Sequence, residues 1–157
     1  MLKLKNQHTK TPSMSETIMT EVVYPNDANP MGMLQGGRIM QWMDTASAIC
    51  AQTHAERIAV TASIDNVEFK YPAKIGDIIT IYAKVTRAFS SSLEVYVHAS
   101  SRAVLSGEIK PVCEAYFIFV ALDKKANPVE VPNVKPETNL EMEYYKNALL
   151  RKKRKQL

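Results

Sequence analysis

Apolar and polar positions divide this chain into one helix-period block set among strand-period blocks. Ser15–Tyr24 carries Thr17, Ile18, Thr20, Val22 and Val23 and stops at Pro25, the composition and ending of a strand. From Gly37 the period changes. Ile39, Trp42, Met43, Ala46, Ile49 and Cys50 recur at helical spacing and share one face of an α-helix that runs to about Thr53. After Glu56-Arg57 the strand period returns. Val60–Phe69 alternates with a phase switch between Ile64 and Val67, which calls for a bulge or bend near Asp65-Asn66. Ile78–Ala88 alternates through Ile79, Ile81, Ala83 and Val85, and Leu93–Ser100 through Leu93, Val95, Val97 and Ala99. Val112–Leu122 is apolar on both faces from Ala115 onward and reads as a central strand. The links Gly76-Asp77, Ser90-Ser91-Ser92 and Ser106-Gly107 are short, so the sheet should be largely antiparallel. A last helix is expected from about Pro136 to Lys155, with Thr138 as N-cap, acidic residues early and basic residues late.

This is an α+β pattern: one long apolar helix wrapped by a curved antiparallel sheet. The organisation expected is a loose N-terminal segment over 1–14, a core domain over 15–134 and a C-terminal helix with a basic tail over 135–157. One such sheet cannot cover the helix and also hide its own edge strands, so pairing with a second copy of the chain is expected.

Composition narrows the class further. With 157 residues, 46% apolar and 23% charged, the chain is an ordinary globular domain. No apolar run approaches the roughly 20 residues that span a bilayer, and Met1–His8 is too polar for a signal-peptide core, so a cytoplasmic protein is expected. The net charge of +4 is concentrated in Arg151–Lys155, which leaves the body close to neutral. Such a run reads as a solvated tail rather than a nucleic-acid surface, with contact to an anionic ligand or a neighbouring subunit also open. Cys50 and Cys113 are expected as buried free thiols, and the isolated His8, His54 and His98 give no metal-ligand pattern.

Candidate chemistry concentrates in Pro25–Gly37 and Asp44. A turn-forming loop with Asn29 leads into Gly36-Gly37 and a helix start, where unpaired N–H groups favour an oxygen gaining negative charge. Asp44 stands beside the apolar stripe, where a carboxylate is costly unless paired, hydrogen-bonded or used chemically. An Asp paired at a subunit contact, an Asn serving only its turn and a plain helix entry at Gly36-Gly37 are the structural alternatives. There is no G-x-S-x-G elbow, no Walker loop and no G-x-G-x-x-G fingerprint.

The set Pro25-x-Asp27-Ala28-Asn29-x-x-Gly32-x-x-x-Gly36-Gly37-x-x-Met40-x-x-Met43-Asp44 resembles the acyl-coenzyme A thioesterases of the hotdog superfamily, in particular the cytosolic acyl-CoA hydrolase branch. Val60–Asp65, Phe69, Ile75-Gly76-Asp77, Arg87–Val95 and Phe119–Leu122 are similar to that branch as well, and the likeness covers about residues 17–145. The resemblance implies a hotdog fold, dimerisation into one continuous sheet and assembly as a trimer of dimers, a homohexamer. It implies hydrolysis of fatty acyl-CoA to free acid and coenzyme A, which is part of the substrate and product, with no cofactor and no metal. Asn29 and Asp44 match its catalytic pair, given to each site by opposite subunits, with Asp44 as general base or nucleophile and Asn29 positioning water or thioester. Gly36 and Gly37 match the thioester-polarising backbone, and Arg87, Ser90, Ser91 and Ser92 match the coenzyme A-binding turn. Gln35 departs from the aromatic or His of many members, so acyl preference is not carried over. The alternative function is a non-enzymatic acyl-CoA-binding sensor; a hotdog dehydratase would want a His that the stretch between His8 and His54 lacks.

Overall fold

In the computed structural model, which describes residues 9–156, a helix α1 (Gly36–Ala55) lies on one face of a five-stranded sheet. The strands are β1 (Thr17–Val22), β2 (Ile58–Phe69), β3 (Ile78–Ala88), β4 (Ser92–Arg102) and β5 (Ile109–Leu122), in the order β1-β3-β4-β5-β2. Every neighbouring pair is antiparallel; short turns join β3 to β4 and β4 to β5, whereas the Gly76-Asp77 link joins β2 to β3, which are not neighbours in the sheet. The alternation read in the sequence decides what faces α1. Ile79, Ile81, Ala83 and Val85 of β3, Leu93, Val95, Val97 and Ala99 of β4, and Ala115, Phe117, Phe119 and Ala121 of β5 are buried with Ile39, Met43, Ala46, Cys50 and Ala51 of α1. Burial of a large apolar side chain contributes roughly 1.5–3 kcal/mol, so this shared interior is what holds helix to sheet. One member of the expected stripe departs from it: Ile49 is 45% exposed. It projects from the same side of α1 as the exposed Thr45 and Thr53, away from the sheet.

β2 closes one side of the sheet as an edge strand, with Ile58 66% and Phe69 58% exposed and Val60, Ile64 and Val67 also open to solvent. Its pairing with β5 shifts twice, between Thr61 and Ser63 and between Asp65 and Glu68, with Asn66 left-handed at φ 50°. The second shift is the bulge expected near Asp65-Asn66. The first is additional, and it matters: Thr61 faces α1, whereas Ser63 and Asp65 face the opposite side of the sheet.

That opposite side is covered in part by α2 (Asn139–Lys155), which begins with a capping box. Glu141 N–H donates to Thr138 Oγ1 at 3.1 Å, and Thr138 N–H donates to Glu141 Oε2 at 3.0 Å. The basic run that ends α2 is only partly solvated: Lys153 and Arg154 are exposed, whereas Arg151 and Lys155 have acidic partners. Arg151 donates to both carboxylate oxygens of Glu94, at 2.6 and 3.0 Å, and lies 3.7 Å from the centre of the Tyr116 ring. Glu94 is 1% exposed, and Thr86 Oγ1 donates to it at 2.7 Å. A carboxylate at such depth needs a counter-charge, and Arg151 supplies it. Lys155 donates to Ser63 at 2.8 Å and pairs with Asp65, so α2 also grips the edge strand.

Residues 1–8 of the segment expected to be loose lie outside the described residues. The rest of it differs from that expectation: Lys10 bridges to Val134, its ammonium donates to the His54 carbonyl at 2.9 Å, and Pro12 is buried. His54 is buried, with Nε2 2.8 Å from the Pro132 carbonyl, and desolvation holds its imidazole below the ordinary range. Both cysteines are buried free thiols, and burial pushes each up to about 11. Among the described residues no helix is long and apolar enough to cross a membrane, and no group of three His, Cys, Asp or Glu residues could hold a metal ion.

Candidate active site

The loop before α1 is built from its own backbone. Asn29 N–H donates to the Met33 carbonyl at 2.7 Å, and Gly32 N–H donates to the Asn29 carbonyl at 2.9 Å, with Gly32 left-handed at φ 76°. Asn29 Oδ1 accepts from the N–H groups of Met31 and Met33, at 2.9 and 3.1 Å. The side chain therefore serves its turn, and those two donors also fix which way the amide points. Its NH₂ has no protein partner among the described residues, which leaves two donors for another molecule. Asp27 braces the loop from behind: its carboxylate accepts from Tyr24 N–H at 2.9 Å and pairs with Arg38 at 3.1 Å.

Gln35 precedes α1 without capping it, because its side-chain amide donates to the Ala28 carbonyl at 3.0 Å. The N–H groups of Gly36 and Gly37 consequently have no protein acceptor among the described residues. Neither glycine has a positive φ. A Cβ on Gly36 would meet only the Phe69 ring at 3.5 Å, and one on Gly37 would meet nothing within 4 Å. Conformational freedom thus explains Gly32 and not Gly36-Gly37. What the glycine pair leaves is uncovered backbone at the positive end of a 20-residue helix. Asn29, Leu34, Gly36, Ile39 and Phe69 line a cavity of about 310 Å³ beside it.

Asp44 is half-buried two turns further along α1, and Thr61 Oγ1 donates to its Oδ1 at 2.6 Å. Thr61 was given no role by the sequence; its signal is its place in the Val60–Asp65 run that is similar to the hydrolase branch. Gly36 to Asp44 spans eight residues, about 12 Å of helix axis. Asn29 and Asp44 share no hydrogen bond among the described residues, so within one chain the loop and the carboxylate occupy separate places.

The turn between β3 and β4 is equally specific. Ser91 and Ser90 carbonyls accept from Ala121 and Val131 N–H groups, at 2.9 and 3.0 Å, which ties the turn to the end of β5 and the strand-like segment after it. Arg87 is engaged with α2 and lies 5.9 Å from the ring centre of Phe89, beside Ser90. Its Nη1 donates to the Tyr145 carbonyl at 3.1 Å, and the guanidinium lies 4.0 Å from the Tyr145 ring centre.

A helix wrapped by this sheet, with bare N–H groups at its start and a carboxylate on its flank, is the frame of a hotdog domain. A sequence pattern described as the thioesterase superfamily matches residues 31–104, from just after Asn29 through α1 to just past the end of β4. A Bacillus subtilis protein named an uncharacterized acyl-CoA thioester hydrolase is 36% identical over 137 residues, 87% of this chain and 80% of its own length. The chain belongs to the thioesterase superfamily and has its hotdog fold.

Solved structures agree. A hexameric acyl-CoA thioesterase superposes with a TM-score of 0.92 at 36% identity, covering 95% of this chain and 96% of that one. An acyl-CoA hydrolase from Staphylococcus aureus, solved with butyryl coenzyme A and coenzyme A, gives 0.88 at 36% identity over 95% and 91% of the two chains. That hydrolase has also been solved with an aspartate, an asparagine or a threonine replaced by alanine. The mouse acetyl-coenzyme A thioesterase is a longer protein: this chain is 37% identical over 138 residues, 88% of its own length, and covers 25% of the mouse protein.

Proposed function

We propose that this chain hydrolyses fatty acyl-CoA to free fatty acid and coenzyme A, in the cytoplasm, as a homodimer that assembles further into a hexamer. The observation that carries the reading is the Asp44–Thr61 pair, a carboxylate held by one hydroxyl with its second oxygen unengaged among the described residues. In this mechanism Asp44 takes a proton from water, the water oxygen bonds to the thioester carbon, and the carbonyl oxygen becomes an oxyanion. The Gly36 and Gly37 N–H groups stabilise that oxyanion, with the Asn29 NH₂ orienting the water or the thioester. The tetrahedral intermediate then releases coenzyme A as the C–S bond breaks and the thiolate takes a proton. The route uses water, a carboxylate and amide donors, with no metal or redox cofactor.

Subunit pairing completes the site. The exposed apolar edge of β2 lies beside Thr61, and two such edges side by side would bring the Asn29 loop of one subunit toward the Asp44 of the other. The 12 Å between Gly36 and Asp44 on one helix supports this division, since a single thioester carbon must be reached from both sides. Ser90–Ser92 and Arg87 form the proposed coenzyme A-binding region.

The expected result is release of free thiol from acyl-CoA substrates across a panel from two carbons to long chains, followed with a thiol reagent. Saturable binding of acyl-CoA with no thiol release would overturn hydrolysis and leave the acyl-CoA-binding sensor as the function.

A further inference from the structure

Asp27 stands in the Pro25–Gly37 run but takes no part in the chemistry above. It is the buried last residue of the turn Pro25–Asp27, and every polar atom on it is engaged. Its N–H donates to the Tyr24 carbonyl, and its own carbonyl accepts from Gln35 N–H, both at 2.9 Å. Its Oδ2 accepts from Tyr24 N–H at 2.9 Å, and its Oδ1 accepts from Arg38 Nε at 3.1 Å. Arg38 is half-buried in the first turn of α1, and its Nη1 donates to Gln41 Oε1 at 3.0 Å. The guanidinium is thereby held from two sides.

A carboxylate beside the start of a helix ordinarily caps it, because the free N–H groups and the positive end of the dipole attract it. Capping of that kind would fill the Gly36 and Gly37 donors. Two side chains adjoin that helix start, and both are turned aside. Gln35 gives its amide to the Ala28 carbonyl, and Asp27 gives its carboxylate to Tyr24 and Arg38. The same ion pair also joins loop to helix. Asn29 lies two residues past Asp27, in a tight turn closed by its bond to the Met33 carbonyl, and Arg38 follows Gly37 directly. The Asp27–Arg38 pair therefore ties the Asn29 amide to the bare N–H groups through side chains, alongside the main-chain bond from Gln35 to Asp27. A guanidinium suits this task, since its planar fork fixes direction as well as charge.

We propose that Arg38 is a positioning residue for thioester hydrolysis: it holds the Asp27 carboxylate off the start of α1 and locks the Asn29 turn to the Gly36 and Gly37 N–H groups. The inference rests on the hydrolysis proposed above. Its test is steady-state thiol release from an acyl-CoA by the full chain, with calorimetric titration of coenzyme A into the same proteins to count intact sites. Arg38→Met should lower kcat about ten-fold and leave KM within about two-fold, because a small misplacement of aligned groups is felt in the transition state more than in binding. Arg38→Lys should recover part of the loss, since it restores the charge opposite Asp27 without the fork. Asp27→Asn leaves one side-chain oxygen for both Tyr24 N–H and Arg38, and should match Arg38→Met. The double variant should lose no more than either single one, as two members of one contact do. Coenzyme A should bind at wild-type stoichiometry throughout. A raised KM with unchanged kcat would make Arg38 a substrate contact, and coenzyme A sites lost in proportion to kcat would make it purely structural. Losses that add in the double variant would uncouple it from Asp27. Each of these overturns the inference, as does wild-type kcat in Arg38→Met. A wild type that releases no thiol fails the hydrolysis reading itself, an outcome distinct from an active enzyme indifferent to Arg38.

Discussion

Asp44→Ala is expected to release thiol from acyl-CoA at least about 100-fold more slowly than wild type, the low end of what a positioned general base contributes, while assembling normally. Asp44 is half-buried on the flank of α1, and its one protein contact among the described residues is Thr61. Removing it therefore leaves a single unpaired hydroxyl near solvent, and the buried stripe of Met43, Ala46 and Cys50 is untouched. Asp44→Asn should fail almost as completely, because the amide can still accept from Thr61 but cannot take a proton. Thr61→Ala should sit between, with a loss of roughly ten-fold, since it removes one hydrogen bond to a charged group and leaves the base in place. Steady-state thiol release at saturating substrate orders the three, and size-exclusion chromatography reports assembly. An Asp44→Ala protein with near wild-type turnover would remove Asp44 from the mechanism.

The second large effect concerns stability. Arg151→Ala should cost about 3–5 kcal/mol, because it strands the Glu94 carboxylate in the interior with Thr86 as its one remaining side-chain partner among the described residues. Arg151 has 13% and Glu94 2% of the side chain exposed, with contacts at 2.6 and 3.0 Å, so this pair is not a screened surface bridge. Such surface pairs contribute about 0–1 kcal/mol. The loss would read as a lowered urea midpoint at fixed protein concentration, which must be held constant for an oligomer. Arg151→Met combined with Glu94→Gln should be milder than Arg151→Ala alone, since no buried charge remains unpaired. A loss below about 1 kcal/mol for Arg151→Ala would show that water reaches Glu94 and that the pair behaves as a surface one.

These two sites also show what could be read in the sequence. α1, β3 and β4 were legible because their apolar residues repeat at one unbroken period and each element buries one face. The cap at Thr138 was legible because capping is local, three residues from Thr138 to Glu141. The bulge near Asp65-Asn66 was legible because the apolar phase changes across it. The shift between Thr61 and Ser63 was not: Val60-Thr61-Ala62-Ser63 alternates too weakly to reveal which side each residue takes, so the Thr61 contact to Asp44 stayed hidden. Arg151 and Glu94 are 57 positions apart, and no spacing rule connects them. A run of five cations looks the same whether it is solvated or docked, and only the buried carboxylate on β4 decides. Ile49 fits the helical period yet faces away from the sheet, because a stripe drawn across three turns is wider than the face the strands cover. In the candidate site, Asn29, Gly36, Gly37 and Asp44 were all marked in advance. What sequence could not supply was how the Asn29 amide is tied to Met31 and Met33 and Asp44 to Thr61; the eight-residue separation of Gly36 and Asp44 along α1 is already in the sequence.

That separation is the centre of the account, and subunit mixing tests it most directly. Asn29→Ala and Asp44→Ala proteins, each inactive alone, are combined under conditions in which native mass spectrometry demonstrates hybrid dimers. If each site takes Asn29 from one chain and Asp44 from the other, half of the sites in every hybrid dimer are intact, and random exchange should restore about a quarter of wild-type activity. Hybrid dimers in the expected proportion with no recovered thiol release would contradict a shared site.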